Sequence, residues 1–189
     1  MSVTVAKHAG FCFGVKRATD FVEDLTHSHG ERASIYTIGS LIHNRHYNES
    51  LLRAGVKAIE ASEAEAAAKA AAAEGKACIF VIRTHGIRKE DEALLRRLEK
   101  ACPHVKVEDM TCPFVKRIHK IAEEETTCDT RFVLLGTPTH PEVLGIMSHA
   151  KGEAVAFPTA SQVEEYLSLR QKDQKKLILS AQTTQNLQE

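Results

Sequence analysis

Short apolar runs alternate with amphipathic segments along the whole chain. The runs have the length and β-branched content of strands, and the segments between them carry apolar residues at helical spacing. A regular β-then-α order is typical of parallel sheets covered by helices, so the pattern predicts an α/β fold. The predicted strands are residues 2–6, 33–38, 56–59, 77–82, 105–107, 131–135, 154–157 and 176–179, and the predicted helices are 15–26, 46–54, 63–73, 89–101, 113–126, 141–150 and 161–169.

A six-residue pattern, Cys-x-x-Val-Lys-Arg, occurs twice, at Cys12 and 100 positions later at Cys112. Each copy stands at the start of a predicted helix, and Pro113 suits the first position of the second helix. We therefore predict an internal duplication that divides the chain near residue 111. The first α/β domain would cover residues 1–111, and a second, similar domain would cover residues 112–189.

The two repeated cysteines stand where a thiolate is stabilised. The N-terminus of a helix favours negative charge, and each copy carries Lys and Arg four and five residues further on. Such a cysteine can serve as a nucleophile or a soft-metal ligand, although a buried structural thiol is the alternative. That alternative suits Cys78, which lies inside an apolar run. Cys102 and Cys128 lack these surroundings, and we assign them no role. With five cysteines and no CxxC pair, we expect neither a disulfide framework nor a zinc ribbon.

Three further segments place a histidine directly after a predicted strand. These are IYTIGSLIHN with His43, CIFVIRTHGI with His85, and FVLLGTPTHPEVLG with His140. Because ligands bind beyond the carboxyl ends of strands in parallel α/β sheets, we expect the three imidazoles in one binding layer. Imidazoles suit an anion such as a phosphate, and Glu142 could carry a proton beside it. The alternative for any single one is a solvated loop histidine.

The last predicted strand runs into Gln182, Thr183 and Thr184. The hydroxyl groups of the two threonines could hydrogen-bond an anion or a substrate alcohol.

Composition narrows the possible partners. Formal net charge is zero, 43% of residues are hydrophobic and 26% are charged, which is ordinary for a globular protein. This balance predicts no nucleic-acid partner. No apolar run reaches the length of a membrane span, and the first residues lack the apolar core of a signal peptide. We therefore expect a cytoplasmic protein without a membrane partner.

Taken together, the pieces AGFCFGVKRA, GSLIHN, RTHG, DMTCPFVKR, THPEVLG and QTT resemble the 4-hydroxy-3-methylbut-2-enyl diphosphate reductase (LytB/IspH) family, in the family's order. The resemblance implies a fold of three similar α/β domains around a central [4Fe-4S] cluster held by three cysteines. It implies the last step of the non-mevalonate isoprenoid pathway, in which the allylic hydroxyl is removed reductively to give isopentenyl and dimethylallyl diphosphate. An electron donor of the ferredoxin or flavodoxin type is also implied.

The same resemblance implies a role for each candidate residue. Cys12 and Cys112 would be cluster ligands, and the three strand-end histidines would line a pocket for the isoprenoid diphosphate substrate. Glu142 resembles the proton-delivering carboxylate. Thr183 resembles the threonine that works with that carboxylate, and Thr184 beside it is an open alternative for binding substrate.

The chain also departs from the family pattern. Ser40 stands where the family often has proline, Arg45-His46 replaces a common Pro-Gln, and the chain stops at Glu189, before the third domain and its cysteine. Two thiolates hold a four-iron cluster poorly, so we expect the isolated chain to fold without a stable cluster. The alternative function is a truncated, non-catalytic diphosphate-binding module. A zinc hydrolase using His and Cys fits the composition but not the spacing.

Overall fold

The computed structural model describes residues 2–4, 6, 9–170 and 175–185. Seven helices and seven strands alternate in this part of the chain, with short 3₁₀ turns at Gly30–Arg32 and Ala61–Glu63. The helices are α1 (Phe13–His29), α2 (Arg45–Arg53), α3 (Ala64–Ala73), α4 (Lys89–Ala101), α5 (Pro113–Glu125), α6 (Pro141–His149) and α7 (Ala160–Ser168). The strands are β1 (Ala33–Ile38), β2 (Lys57–Ile59), β3 (Ala77–Ile82), β4 (Val105–Asp109), β5 (Thr130–Leu135), β6 (Glu153–Phe157) and β7 (Lys176–Ala181).

The strands form two sheets, and every described pairing is parallel. The first sheet has the order β2-β1-β3-β4, and the second has the order β6-β5-β7. The strands end flush, since Ile38 pairs with both Ile59 and Ile82, and Leu135 pairs with both Phe157 and Ala181. The predicted α/β class with parallel sheets is therefore confirmed.

Each sheet contains a point where the chain reverses its direction of travel across the sheet. From β1 the chain moves outward to β2, then crosses back to place β3 on the other side of β1. The second sheet repeats this arrangement with β5, β6 and β7. Loops leaving two neighbouring strands in opposite directions open a crevice at the carboxyl edge, where ligands bind in this class of fold. The loops after β1 and β3 flank the first crevice, and those after β5 and β7 flank the second.

Alternation along β3 builds two cores on the two faces of the first sheet. Phe80 packs toward Leu95 on one face, while Ile79 and Val81 pack toward Leu41 on the other. Burial of each such side chain contributes about 1.5–3 kcal/mol before entropy is counted. The second sheet has its own core, which contains Phe132, Leu134, Val143 and Ile146. Cys78 is fully buried in the first core, as predicted, and this burial raises the pKa of its thiol to about 11.

The predicted elements agree with the structure to within a few residues, with one exception. The strand expected at residues 2–6 was wrong for the described residues of that segment, since residues 2–4 and 6 are exposed and outside any strand. Alternation alone does not make a strand, because a strand also needs a neighbouring strand as its hydrogen-bond partner. The domain division near residue 111 stays a prediction, consistent with a first sheet that ends at Asp109 and a second that begins at Thr130. No helix among the described residues is both long and apolar enough to cross a membrane.

Candidate functional site

The three strand-end histidines come together from the two sheets. His43 and His85 follow β1 and β3, and their ring centroids are 4.1 Å apart. His140 follows β5 in the second sheet, with its ring centroid 5.2 Å from that of His43 and 5.6 Å from that of His85. One ring nitrogen from each residue lies within 4.8 Å of the other two. The site therefore bridges the carboxyl edges of the two sheets.

Backbone hydrogen bonds fix the loops that carry these rings. The amide and hydroxyl of Thr84 both donate to the carbonyl of Leu41, at 3.2 and 3.0 Å, which ties the His85 loop to the His43 loop. The carbonyl of Thr84 in turn accepts the amide N–H of Cys112 at 2.9 Å. Thr84 thus joins the histidine site to the start of α5.

Arg83 is a cation beside the histidines that the sequence reasoning did not single out. Its Nε donates to the carbonyl of Gly86 at 3.1 Å, and its guanidinium lies directly against Gly39 at the end of β1. Gly39 has a φ of +68°, so a side chain there would be strained as well as obstructed. The signal was present in the sequence, because Arg83 belongs to the same RTHG segment as His85.

Burial and repulsion from nearby positive charge disfavour the charged forms of His85 and His140. Burial lowers the pKa of His85 to about 3, and positive charge on His43, His140 or Arg83 would lower it further. The pKa of His140 is also lowered, chiefly by burial. His85 is therefore a neutral ring near pH 7, able to donate one N–H and to accept one hydrogen bond.

The N-cap of α6 indicates which nitrogen of His140 carries the proton. The Nδ1 atom of His140 accepts the backbone N–H of Glu142 at 3.1 Å, so a neutral ring carries its hydrogen on Nε2. An Nε2–H group is a donor for an anion, whereas a metal needs a free lone pair. The spacing of the three rings would admit a metal, but this hydrogen bond favours an anion and disfavours the zinc interpretation.

Glu142 and Thr183 meet beside the histidines. Glu142 is 1% exposed, and its carboxylate accepts the backbone N–H of Thr183 at 2.6 Å and the hydroxyl of Thr183 at 2.9 Å. Thr184 has a different partner, since its hydroxyl oxygen accepts the Nε2–H of Gln182 at 2.9 Å. The geometry thus couples Thr183, rather than Thr184, to the buried carboxylate.

Gln182 closes the second crevice. Its backbone N–H donates to the carbonyl of Leu135 at 2.8 Å, and its side-chain oxygen accepts the N–H of Thr137 at 3.1 Å. The ends of β5 and β7 are thereby held together, which places Thr183 across from the start of α6.

Both cysteines of the repeated pattern stand at the N-caps of their helices, as predicted. Neither side chain makes a capping hydrogen bond, so both sulfurs are free of that role. Cys12 is exposed and Cys112 is half-buried. The two helix starts lie together, because a Cβ added to Gly14 would stand only 2.7 Å from Sγ of Cys112. Arg17 adds a second link by donating to the carbonyl of Thr111 at 2.8 Å.

The repeated pattern places a lysine four residues after each cysteine. Lys16 forms an ion pair with Asp20 at 2.8 Å, and Lys116 forms one with Asp109 at 2.5 Å. Both lysines are therefore engaged by carboxylates of the protein.

These thiols fit a soft metal or iron–sulfur group as part of its ligand set. Both sulfurs are free of capping hydrogen bonds and stand at neighbouring helix starts, and the lack of a side chain at Gly14 lets α1 approach Sγ of Cys112 closely. A [4Fe-4S] cluster usually takes more thiolates than two, so Cys12 and Cys112 would hold one only together with further ligands.

The fold and the site together define an α/β protein with two parallel sheets. Three histidine rings, a buried carboxylate and two thiols at helix starts lie along the carboxyl edges of these sheets. Sequence comparison then gives the family. Residues 3–189 match the LytB protein family, and the chain belongs to it.

Individual relatives carry a more specific name. The chain is 36% identical over 165 residues to 4-hydroxy-3-methylbut-2-enyl diphosphate reductase from Caldanaerobacter subterraneus subsp. tengcongensis, which covers 87% of this chain and 52% of that relative. It is 35% identical to the reductase of the same name from Aquifex aeolicus, over 98% of this chain and 58% of that relative. The chain thus spans between half and three fifths of the length of these relatives.

Solved structures give the same result. A structure of (E)-4-hydroxy-3-methyl-but-2-enyl diphosphate reductase, described as the terminal enzyme of the non-mevalonate pathway, matches with a TM-score of 0.68 and 31% identity. The match covers 98% of this chain and 59% of the other. A reductase structure from Plasmodium falciparum matches with a TM-score of 0.73 at 24% identity, over 96% of this chain and 51% of the other, and supports the fold alone.

Proposed function

We propose that this chain carries the substrate-binding and proton-delivering part of a 4-hydroxy-3-methylbut-2-enyl diphosphate reductase. The observation that carries the proposal is the convergence of His43, His85 and His140 beside the Glu142–Thr183 pair. The histidine rings would donate hydrogen bonds to the diphosphate, and the Glu142 carboxylate would lie next to the part of the substrate that reacts.

The diphosphate would be held by ring N–H groups. Nε2–H of His140 is a donor fixed by the N-cap hydrogen bond at its other nitrogen. His85 is neutral when the site is free, and a bound diphosphate would raise its pKa, because a negative charge stabilises the imidazolium. The half-buried guanidinium of Arg83 adds positive potential to the same loop.

The reaction replaces the allylic hydroxyl by hydrogen and consumes two electrons and two protons, with water as the second product. Glu142 would give a proton to the leaving hydroxyl, and the Thr183 hydroxyl would orient the carboxylate oxygen that carries it. Cys12 and Cys112 would be the chain's ligands to a [4Fe-4S] cluster, which when bound supplies electrons and a Lewis-acid site for oxygen. An electron donor of the ferredoxin or flavodoxin type and a cytoplasmic location belong to the same proposal.

Binding of inorganic pyrophosphate to the 189-residue chain, measured by calorimetry, tests the anion part. We expect His85→Ala to weaken binding by tenfold or more, since a hydrogen bond to a charged group contributes roughly 1.5–3 kcal/mol. His46→Ala removes an exposed histidine three positions after His43 and is the matched control. Equal affinities for the wild type and His85→Ala would contradict the proposal.

A non-catalytic diphosphate-binding module remains the second candidate. It is favoured by the arrangement of the histidine site, whose rings and loop hydrogen bonds require no cysteine side chain. One experiment distinguishes the two proposed functions. The chain is reconstituted with iron and sulfide and is then given the allylic diphosphate with a chemical reductant. Turnover would support the reductase. Binding without turnover would support the module only where iron and sulfide assays show that the tested chain carries a cluster, because two thiolates hold a four-iron cluster poorly.

A further inference from the structure

His119 of α5 lies against the backbone of both segments that carry the site's ionisable groups. A Cβ added to Gly86, the residue after His85, would stand 2.6 Å from Cε1 of His119. A Cβ added to Gly145, one helical turn after Glu142, would stand 3.4 Å from Nε2 of His119 and 3.2 Å from the carbonyl oxygen of Ile87. Both glycines are therefore places where His119 makes close contact with the backbone.

The same region is joined by two further contacts. His149 lies on the face of α6 that bears Gly145, and its ring stacks on His119 with centroids 4.4 Å apart and an interplanar angle of 24°. The backbone N–H of Lys89, which follows the His85 loop, donates to the hydroxyl of Ser148 at 2.9 Å. The loop after β3, helix α5 and helix α6 consequently meet around the His119 ring.

This ring is buried at a cost. His119 is 8% exposed, and within the described part of the chain its Nε2 finds no hydrogen-bond partner. Burial, with help from the neighbouring His149, lowers the pKa of His119 to about 4, so the ring is neutral near pH 7. An unpaired buried polar atom costs roughly 1–3 kcal/mol. The flat shape of the ring, which fits between two glycine backbones, accounts for its place there.

We propose that His119 is a positioning residue that sets the separation between the His85 loop and the Glu142 helix. In this role it acts through its contacts with the backbone of Gly86 and Gly145, and not through a hydrogen bond to His85 or Glu142. Cys112 is the N-cap residue of α5. The same helix would therefore hold the Cys112 thiol, the His85 loop and the Glu142 helix at fixed distances from one another. The part of this inference that concerns anion binding rests on the function proposed above.

The first measurement needs no ligand. Side-chain NMR of histidine ring C–H groups in the full 189-residue chain reports the environments of His85 and His140 directly. We expect His119→Ala to shift or broaden both signals, because the loop and α6 lose their common support. Lys120→Ala is the control, since Lys120 is the next residue of α5 and its side chain is exposed. It should leave both ring signals unchanged.

The second measurement is pyrophosphate affinity of the same variants. We expect a loss of roughly tenfold in His119→Ala, equivalent to about 1.4 kcal/mol, and little change in Lys120→Ala. Gly145→Ala presses on His119 and the Ile87 carbonyl from the other side, and it provides the test should His119→Ala fail to fold. Unchanged His85 and His140 signals in a folded His119→Ala or Gly145→Ala chain would overturn the inference. Absence of pyrophosphate binding to the wild type would instead count against the proposed function.

Discussion

Glu142 and Thr183 are joined by two hydrogen bonds across the second crevice, although they lie 41 positions apart in the sequence. The backbone N–H and the hydroxyl of Thr183 each donate to a different oxygen of the Glu142 carboxylate, at 2.6 and 2.9 Å. Since Glu142 is 1% exposed, these donors replace hydration that the buried carboxylate has lost. This pair is where the end of β7 meets the start of α6.

Thr183→Val should destabilise the chain by about 1.5–3 kcal/mol, because it removes a hydroxyl donor from a buried carboxylate while keeping the shape of the side chain. Urea unfolding of the two proteins measures this difference. Thr184→Val is the control, since Thr184 is exposed like Thr183 but its hydroxyl is paired with Gln182 instead of Glu142. Equal losses of unfolding free energy in the two variants would show that the hydrogen bond to Glu142 stabilises the chain no more than the hydrogen bond to Gln182 does.

The buried histidines should make the chain less stable as the pH falls from about 6.5 toward 4. His119 has a folded-state pKa of about 4, below its ordinary value of 6.5, so over this range the unfolded chain takes up a proton that the folded chain does not. The stabilisation is complete above pH 6.5 and declines by at most about 1.4 kcal/mol per pH unit for this group. Urea unfolding across this range should give a shallower pH slope in His119→Ala than in the wild type. Parallel slopes would contradict the expectation.

Gly14→Ala should destabilise the chain, although alanine favours a helix over glycine by about 1 kcal/mol. The added Cβ would stand 2.7 Å from Sγ of Cys112, so α1 or the Cys112 side chain must move. The free energy of unfolding should fall, and the rate at which iodoacetamide alkylates Cys112 should change. A more stable variant with an unaltered Cys112 rate would mean that the two helix starts are not in contact.

The isolated 189-residue chain should hold far less than one [4Fe-4S] cluster per chain after anaerobic purification or reconstitution. Cys12 and Cys112 supply only two thiolates, and a four-iron cluster usually needs more. Iron and sulfide assays with visible absorption spectra measure the content, and the Cys12→Ser/Cys112→Ser double variant gives the background. Near-full occupancy in the wild type would show that a further ligand is supplied from elsewhere, such as a second chain.

The sequence by itself determined the elements, the fold class and the candidate residues. Strand and helix patterning is local, so the bounds of β1, β3 and α4 follow from periodicity alone. The rule that ligands bind at the carboxyl ends of parallel strands groups His43, His85 and His140 from the sequence alone. The repeated pattern likewise predicted a cysteine at the start of α1 and of α5.

Only the tertiary structure decided which of these residues touch. The choice between Thr183 and Thr184 depends on how β7 pairs with β5, a long-range register that neighbouring residues do not encode. The roles of Arg83 and His119 depend on close contacts with Gly39, Gly86 and Gly145, and such contacts arise only when separate elements pack. Local patterns fix what each segment becomes, whereas the packing of segments distant in sequence fixes the chemistry of the site.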